Sequence, residues 1–235
     1  MRTWLVIAMI AFTGIYVIST GAVNNLPAAN LSFIDPVICI NEGQSLLKEG
    51  DLVLRMGTDP CSNIIKNFSR HEKKYSHAGI IVFDNGYPYV WHIINGTDNP
   101  GGLLRKDSLF RFCDPLQHQA FGIYRYQLAS GELGNIKNLI KIWQAKAIQF
   151  DSIFNFKTDD RMYCSEMICK LLAKATGNRI LIKTNKPTTA EATVFAAYMH
   201  LPVAYTSSLQ IVAIDNLYMH PLCHLVKEYT FGMEK

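Results

Sequence analysis

The turn signal Asp84-Asn85-Gly86 constrains this chain more than any other stretch. It joins residues 76–83 to residues 89–94, two runs rich in β-branched and aromatic side chains. Asn-Gly readily supplies the positive φ angles of a two-residue hairpin, so the chain should build antiparallel sheet around this point. If Asn85-Gly86 fills such a turn, Asp84 pairs with Tyr87. His92 then falls opposite Gly79, on the face that His77 occupies. Diagonal neighbours of this kind lie ~7–8 Å apart at the backbone, within reach of long side chains. A three-residue turn would send His92 to the other face.

Around the hairpin, Leu46-Leu47 followed by Gly50-Asp51 reads as a short helix that stops and turns into a strand over Leu52–Arg55. Phe121–Tyr126 and Leu209–Ile214 are further strand candidates. Leu133, Ile136, Leu139, Ile140, Trp143, Ala147 and Phe150 recur at helical spacing and predict one amphipathic helix. A second helix is expected over Cys164–Ala175, stopped by Gly177-Asn178, and Asn185–Thr189 around Pro187 reads as an exposed loop.

Cys164 follows the polar run Lys157-Thr158-Asp159-Asp160-Arg161 and opens its helix, where unpaired N–H groups favour a thiolate. Cys164, Ile168, Leu171, Leu172 and Ala175 share one helical face, which should turn the sulfur toward the sheet. Ser165 and Glu166 read as helix-starting residues. A nucleophilic thiol needs a base, and the base needs an orienter. His77 is the best of seven histidines for the first role, because the small Ala78 and Gly79 beside it leave room for an approaching group. Tyr75, Trp91 and Tyr163 flank this centre, where aromatic side chains line a groove or, more commonly, fill core.

Composition narrows the function classes. With 235 residues, 49% apolar and 18% charged, the chain can bury the core of one catalytic-size domain. Its net charge of +4 and the lack of any Lys/Arg run longer than Lys73-Lys74 argue against nucleic acid as a partner. Residues 1–22 read as a signal peptide or membrane anchor: Arg2 precedes an apolar stretch over residues 4–18, and Thr20-Gly21-Ala22 offers small residues for cleavage. An exported protein, in the bacterial periplasm or cell envelope, is therefore expected, with membrane association through residues 4–18 left open. Six cysteines could form at most two bridges if Cys164 stays free. No CxxC pair occurs, and His220, Cys223 and His224 bracket the helix-breaking Pro221, so neither a metal nor another cofactor is expected.

Four stretches in order, Gly50-Asp51-Leu52-Val53-Leu54-Arg55, Tyr75-Ser76-His77-Ala78-Gly79-Ile80, Phe150-Asp151-Ser152-Ile153-Phe154 and Tyr163-Cys164-Ser165-Glu166-Met167, resemble the permuted papain-like amidases of the NlpC type. Within them the nearest group is the YiiX/YebB-like cysteine hydrolases. The resemblance covers roughly residues 45–215 and implies an α+β, circularly permuted papain-like fold, with an antiparallel sheet packed against the helix that carries the nucleophilic Cys. It divides the chain into residues 1–22, a linker over 23–44 and a hydrolase domain over 45–235. It makes Cys164 the nucleophile, His77 the base and His92 the third polar residue. The nearest relatives are expected to carry Glu at that third position, whereas lecithin–retinol-acyltransferase-like enzymes of the wider superfamily use His. A neutral imidazole stabilises an imidazolium less than a carboxylate does, which should lower the rate without abolishing it.

The implied chemistry is thiol acyl transfer, with the Cys164 backbone N–H as candidate oxyanion donor. Three readings follow. The chain is an exported cysteine amidase or peptidase acting on peptides or cell-wall stem peptides, a lipid-directed thiol hydrolase or acyltransferase, or a noncatalytic exported binding domain in which Cys164 is bridged.

Overall fold

The computed structural model describes residues 33–97 and 99–233. The expected signal or anchor over residues 1–22 lies outside them. The elements run in chain order as β1 (Phe33–Ile34), α1 (Pro36–Leu46), β2 (Leu52–Gly57), α2 (Pro60–Asn67), β3 (His77–Asp84), β4 (Tyr87–Ile93), β5 (Leu104–Asp107), α3 (Leu109–Phe112) and β6 (His118–Tyr126). They continue as α4 (Ser130–Ala145), β7 (Gln149–Phe150), β8 (Arg161–Met162), α5 (Cys164–Ala175), α6 (Thr189–Met199), α7 (Val203–Thr206), α8 (Ile214–Tyr218), β9 (Cys223–Thr230) and β10 (Gly232–Met233). Within the stretch read as a linker, α1 buries Cys39 and Ile40 against the body, and β1 pairs with β10.

Six strands form one antiparallel sheet in the order β5-β4-β3-β2-β6-β9. Asn85 and Gly86 take φ angles of 49° and 80°, so the hairpin closes in two residues and Asp84 pairs with Tyr87. That register, continued through Ile80↔Trp91, places His92 opposite Gly79 as the two-residue turn requires. Alternation then sorts the side chains. Leu54, Ala78, Ile80, Trp91 and Ile93 join the core beneath α5, while Val53, Ile81 and Val90 join a second core with Phe112 and α1.

The helix that carries Cys164 is fixed by its apolar face. Met167, Ile168, Leu171 and Leu172 are fully buried, each contributing roughly 1.5–3 kcal/mol relative to exposure. Glu166 accepts the Tyr163 N–H at 3.2 Å and pairs with Lys170 at 2.9 Å, which is the first-turn role expected of a carboxylate there. The helix ends as expected, with Gly177 and Asn178 in the left-handed region.

Two expectations need correction. The helix read as far as Phe150 stops at Ala145, Ala147 turns to φ 52°, and Phe150 enters β7. The apolar period continues past that stop because Ile148 and Phe150 pack on the same core in another conformation. Leu209–Ile214 is no strand; it has one bridge, Ile211 to Asn185, and Ile214 opens α8. The loop expected around Pro187 is present over residues 186–188, with Lys186 and Thr188 exposed; Asn185 holds that bridge, Pro187 is buried and Thr188 caps α6. Of the two readings of Tyr75, Trp91 and Tyr163, the commoner one holds, since all three are buried in the core.

Candidate active site

Sheet and helix meet at the start of β3. Cys164, the first residue of α5, brings its sulfur to the backbone N–H groups of Ala78 and Ser165, which favour a thiolate, as does the nearby Arg55 charge. Burial outweighs them and pushes the thiol up to about 11. The sequence argument from the helix start names a real force, and desolvation overrides it. Beside Ala78, His77 is buried, and burial, followed by the Arg55 charge, drives its pKa well below the ordinary 6.5. At rest both the thiol and the imidazole are therefore held toward their neutral forms.

The predicted partnership of the two histidines is present: His77 Nε2 lies 3.0 Å from His92 Nδ1. His92 Nε2 lies 3.0 Å from Asp107 Oδ2, a contact that the sequence reading did not find. Burial alone would raise the Asp107 pKa, but hydrogen bonds from His92 and Arg105 hold it below the usual carboxylate value. An ionised carboxylate can only accept, and this fixes both tautomers. His92 donates Nε2–H to Asp107, its Nδ1 accepts Nε2–H from His77, and the lone pair of His77 remains on Nδ1. The Asp107 carboxylate thus sets which nitrogen of a distant imidazole is basic. Arg105 Nη2 holds the other Asp107 oxygen at 2.6 Å.

Phe112 packs against both imidazoles, with ring centroids 5.6 Å from His77 and 5.0 Å from His92. Gly79 supplies the close approach. A Cβ there would sit 2.4 Å from Val90 Cγ1 and 3.3 Å from His92 Cβ, so the space expected to admit the thiol is taken by β4. The six cysteines are all free, Cys164 among them. His220 turns its Nδ1 to the Leu222 N–H, and among the described residues no three His, Cys, Asp or Glu side chains could hold a metal.

Residues 46–221 match the family described as permuted papain-like amidase enzymes, YaeF/YiiX, C92. The chain belongs to this family. Among C92-like relatives, the uncharacterized protein YiiX of Escherichia coli (strain K12) is 25% identical over 134 residues, 56% of this chain and 60% of that one. The chain therefore spans about three fifths of the length of the curated relative it matches. A crystal structure of metalloprotein yiiX from Escherichia coli O157:H7 aligns with TM-score 0.63 at 19% identity, covering 78% of this chain and 98% of that one. That likeness shows a shared fold. C92 is a family of cysteine-type amidases and peptidases, and the α+β, permuted papain-like architecture expected from the sequence is the one this C92 chain has.

The buried imidazoles should make the fold of this C92 chain acid-sensitive. Burial moves His92 down to about 4, against partial opposition from Asp107. A depressed native pKa means stability present above the unfolded value of about 6.5 and lost as pH falls toward 4, about 3 kcal/mol in all. His118, also lowered to about 4 chiefly by burial, acts in the same direction. The thermal midpoint should hold between pH 8 and 7, fall through pH 6.5 to 4, and fall less in His92→Gln. A midpoint unchanged down to pH 4 would contradict this assignment.

Proposed function

We propose that the chain is an exported cysteine amidase or peptidase that cleaves an amide bond in peptides or cell-wall stem peptides. The observation that carries the reading is the directed relay Asp107–His92–His77, which leaves a lone pair on His77 Nδ1; the next residue in the chain, Ala78, meets the Cys164 sulfur through its backbone N–H.

In the proposed reaction the Cys164 sulfur attacks the amide carbonyl carbon while His77 Nδ1 takes the thiol proton. The carbonyl oxygen becomes an oxyanion, for which the Cys164 backbone N–H is the proposed donor. The carbon–nitrogen bond breaks, and the proton on His77 passes to the departing amine. Water then adds to the thioester, again losing a proton to His77, and releases the acid and the Cys164 thiol. His92 and Asp107 act as positioning residues. Where a carboxylate is missing at the third position, Asp107 supplies one a step further out. Because Cys164 is free, the reading as a bridged, noncatalytic domain loses its premise.

Export rests on the residue pattern of 1–22, and association with a membrane through residues 4–18 is part of the same proposal. Among the described residues no helix is long and apolar enough to cross a membrane. The relative called a metalloprotein carries that description for itself. The described donor set here does not fit a metal, and no step runs through one.

Incubating the protein with stem peptides and, separately, with N-acyl and ester lipids, and reading products by mass, tests the reading. Amide cleavage in the peptides is expected; turnover of the lipids alone would favour the lipid-directed alternative. Asp107→Asn should lower kcat about 10- to 100-fold and move the acid limb of the pH profile to lower pH, because Asp107 raises the His92 pKa. A loss of rate with an unmoved profile would reduce Asp107 to a structural residue.

A further inference from the structure

A cavity of about 650 Å³ is lined by Arg55 and by two residues of the relay, His92 and Asp107. Its size suits a small ligand or one part of a larger one. Arg55 is 9% exposed, gives one N–H to the Phe112 carbonyl, and stacks over the Phe112 ring at 4.6 Å. Among the described residues no carboxylate forms an ion pair with it. The acidic groups nearby are committed elsewhere. Asp107 is held by His92, Arg105 and, at 3.5 Å, Arg111, Asp114 accepts from the Leu116 N–H and the Gln117 amide, and Asp59 caps α2 through Ser62. A guanidinium stays charged at any ordinary pH, and a buried one without a counter-ion is costly, so it is poised for an anion from outside.

We propose that this cavity binds a carboxylate of the amide substrate, with Arg55 as the principal binding group. Arg111, an exposed side chain that pairs with Asp107 Oδ1 at 3.5 Å, also lines the cavity and brings a second guanidinium to it. Phe110 and Leu116, exposed at 47% and 90%, form an apolar lip for the side chain next to that carboxylate. The planar guanidinium fork matches a carboxylate in two hydrogen bonds, which selects an acid over its neutral amide. The substrates are therefore peptides or N-acyl amino acids with a free carboxylate near the scissile bond. This rests on the amidase reading and narrows it.

The test is calorimetric titration of the full chain carrying Cys164→Ala with N-acetyl-dialanine and with its C-terminal carboxamide, near neutral pH at low salt. The acid should bind at least tenfold tighter. Arg55→Gln should erase the difference, and Arg111→Gln should weaken the acid two- to fivefold and leave the amide unchanged. Equal binding of acid and amide, or no binding of either at millimolar concentration, would overturn the proposal whatever Arg55→Gln does to folding. Because no turnover is involved, such a result leaves the catalytic reading to its own test by hydrolysis.

Discussion

Cys164→Ala should abolish amide hydrolysis, with a loss of 10⁴-fold or more in kcat, and leave the protein folded. The size follows from the proposed chemistry. Removing a nucleophile that forms the covalent intermediate leaves only binding and oxyanion donors, and in comparable triads the loss is on the order of 10⁴ to 10⁶. Folding should survive because α5 is held by Met167, Ile168, Leu171 and Leu172 rather than by the sulfur. Its start is held by the Glu166 contacts to Tyr163 and Lys170. Deleting one buried sulfur costs little beside those contacts, so the thermal midpoint should move by a few degrees at most. His77→Ala should approach the same loss, since the thiol then has no base, and the double variant should lose little more than either alone. Steady-state hydrolysis beside thermal unfolding of each variant checks this. Activity of folded Cys164→Ala within tenfold of wild type would end the thiol mechanism.

The halves of this site were unequally visible in the chain. His77 and His92 were legible because a two-residue turn fixes pairing, and pairing fixes faces, so one Asn-Gly step decided which histidines could meet. The α5 boundaries were legible because the stop residues and the apolar face agree. Asp107 was not, for it ends a four-residue edge strand, Leu104-Arg105-Lys106-Asp107, whose one apolar residue shows no alternation. Its partner Arg105 stands two residues earlier, a spacing that means contact only in extended chain. Strand β9 escaped for a related reason. As an edge strand it leaves His224, Leu225 and Lys227 exposed, so its pattern resembles a solvated tail. Arg55 was quoted within a motif, but nothing in the residue order says that a charge inside an otherwise apolar strand lacks a counter-ion.

The resting state of the thiol is the sharper test, because sequence and structure lead to opposite results. A cysteine at a helix start beside a histidine suggests a thiolate–imidazolium pair and fast alkylation at neutral pH. Burial favours the neutral forms of both groups instead. The thiol is buried and raised to about 11, while the imidazole that would have to hold its proton is driven below 6.5 by burial and by Arg55. Holding the proton on His77 would place a second cation near Arg55, so in the proposed mechanism the transfer belongs with attack, as the sulfur bonds to carbon and negative charge develops on the carbonyl oxygen. Cys164 should therefore react slowly with iodoacetamide at pH 7, where roughly one thiol in 10⁴ is ionised for a pKa near 11. The rate should climb about tenfold per pH unit toward that value. His77→Ala should leave this alkylation profile almost unmoved while it removes hydrolysis, which separates a base acting during attack from one that pre-ionises the thiol. Peptide mass spectrometry across pH 6 to 11 reads the outcome, with Arg55→Gln as a further probe: losing that cation should move the profile to still higher pH, since the Arg55 charge lowers the thiol pKa. Rapid labelling at pH 7 that is lost with His77 would refute the neutral pair and restore the thiolate form suggested by the helix start.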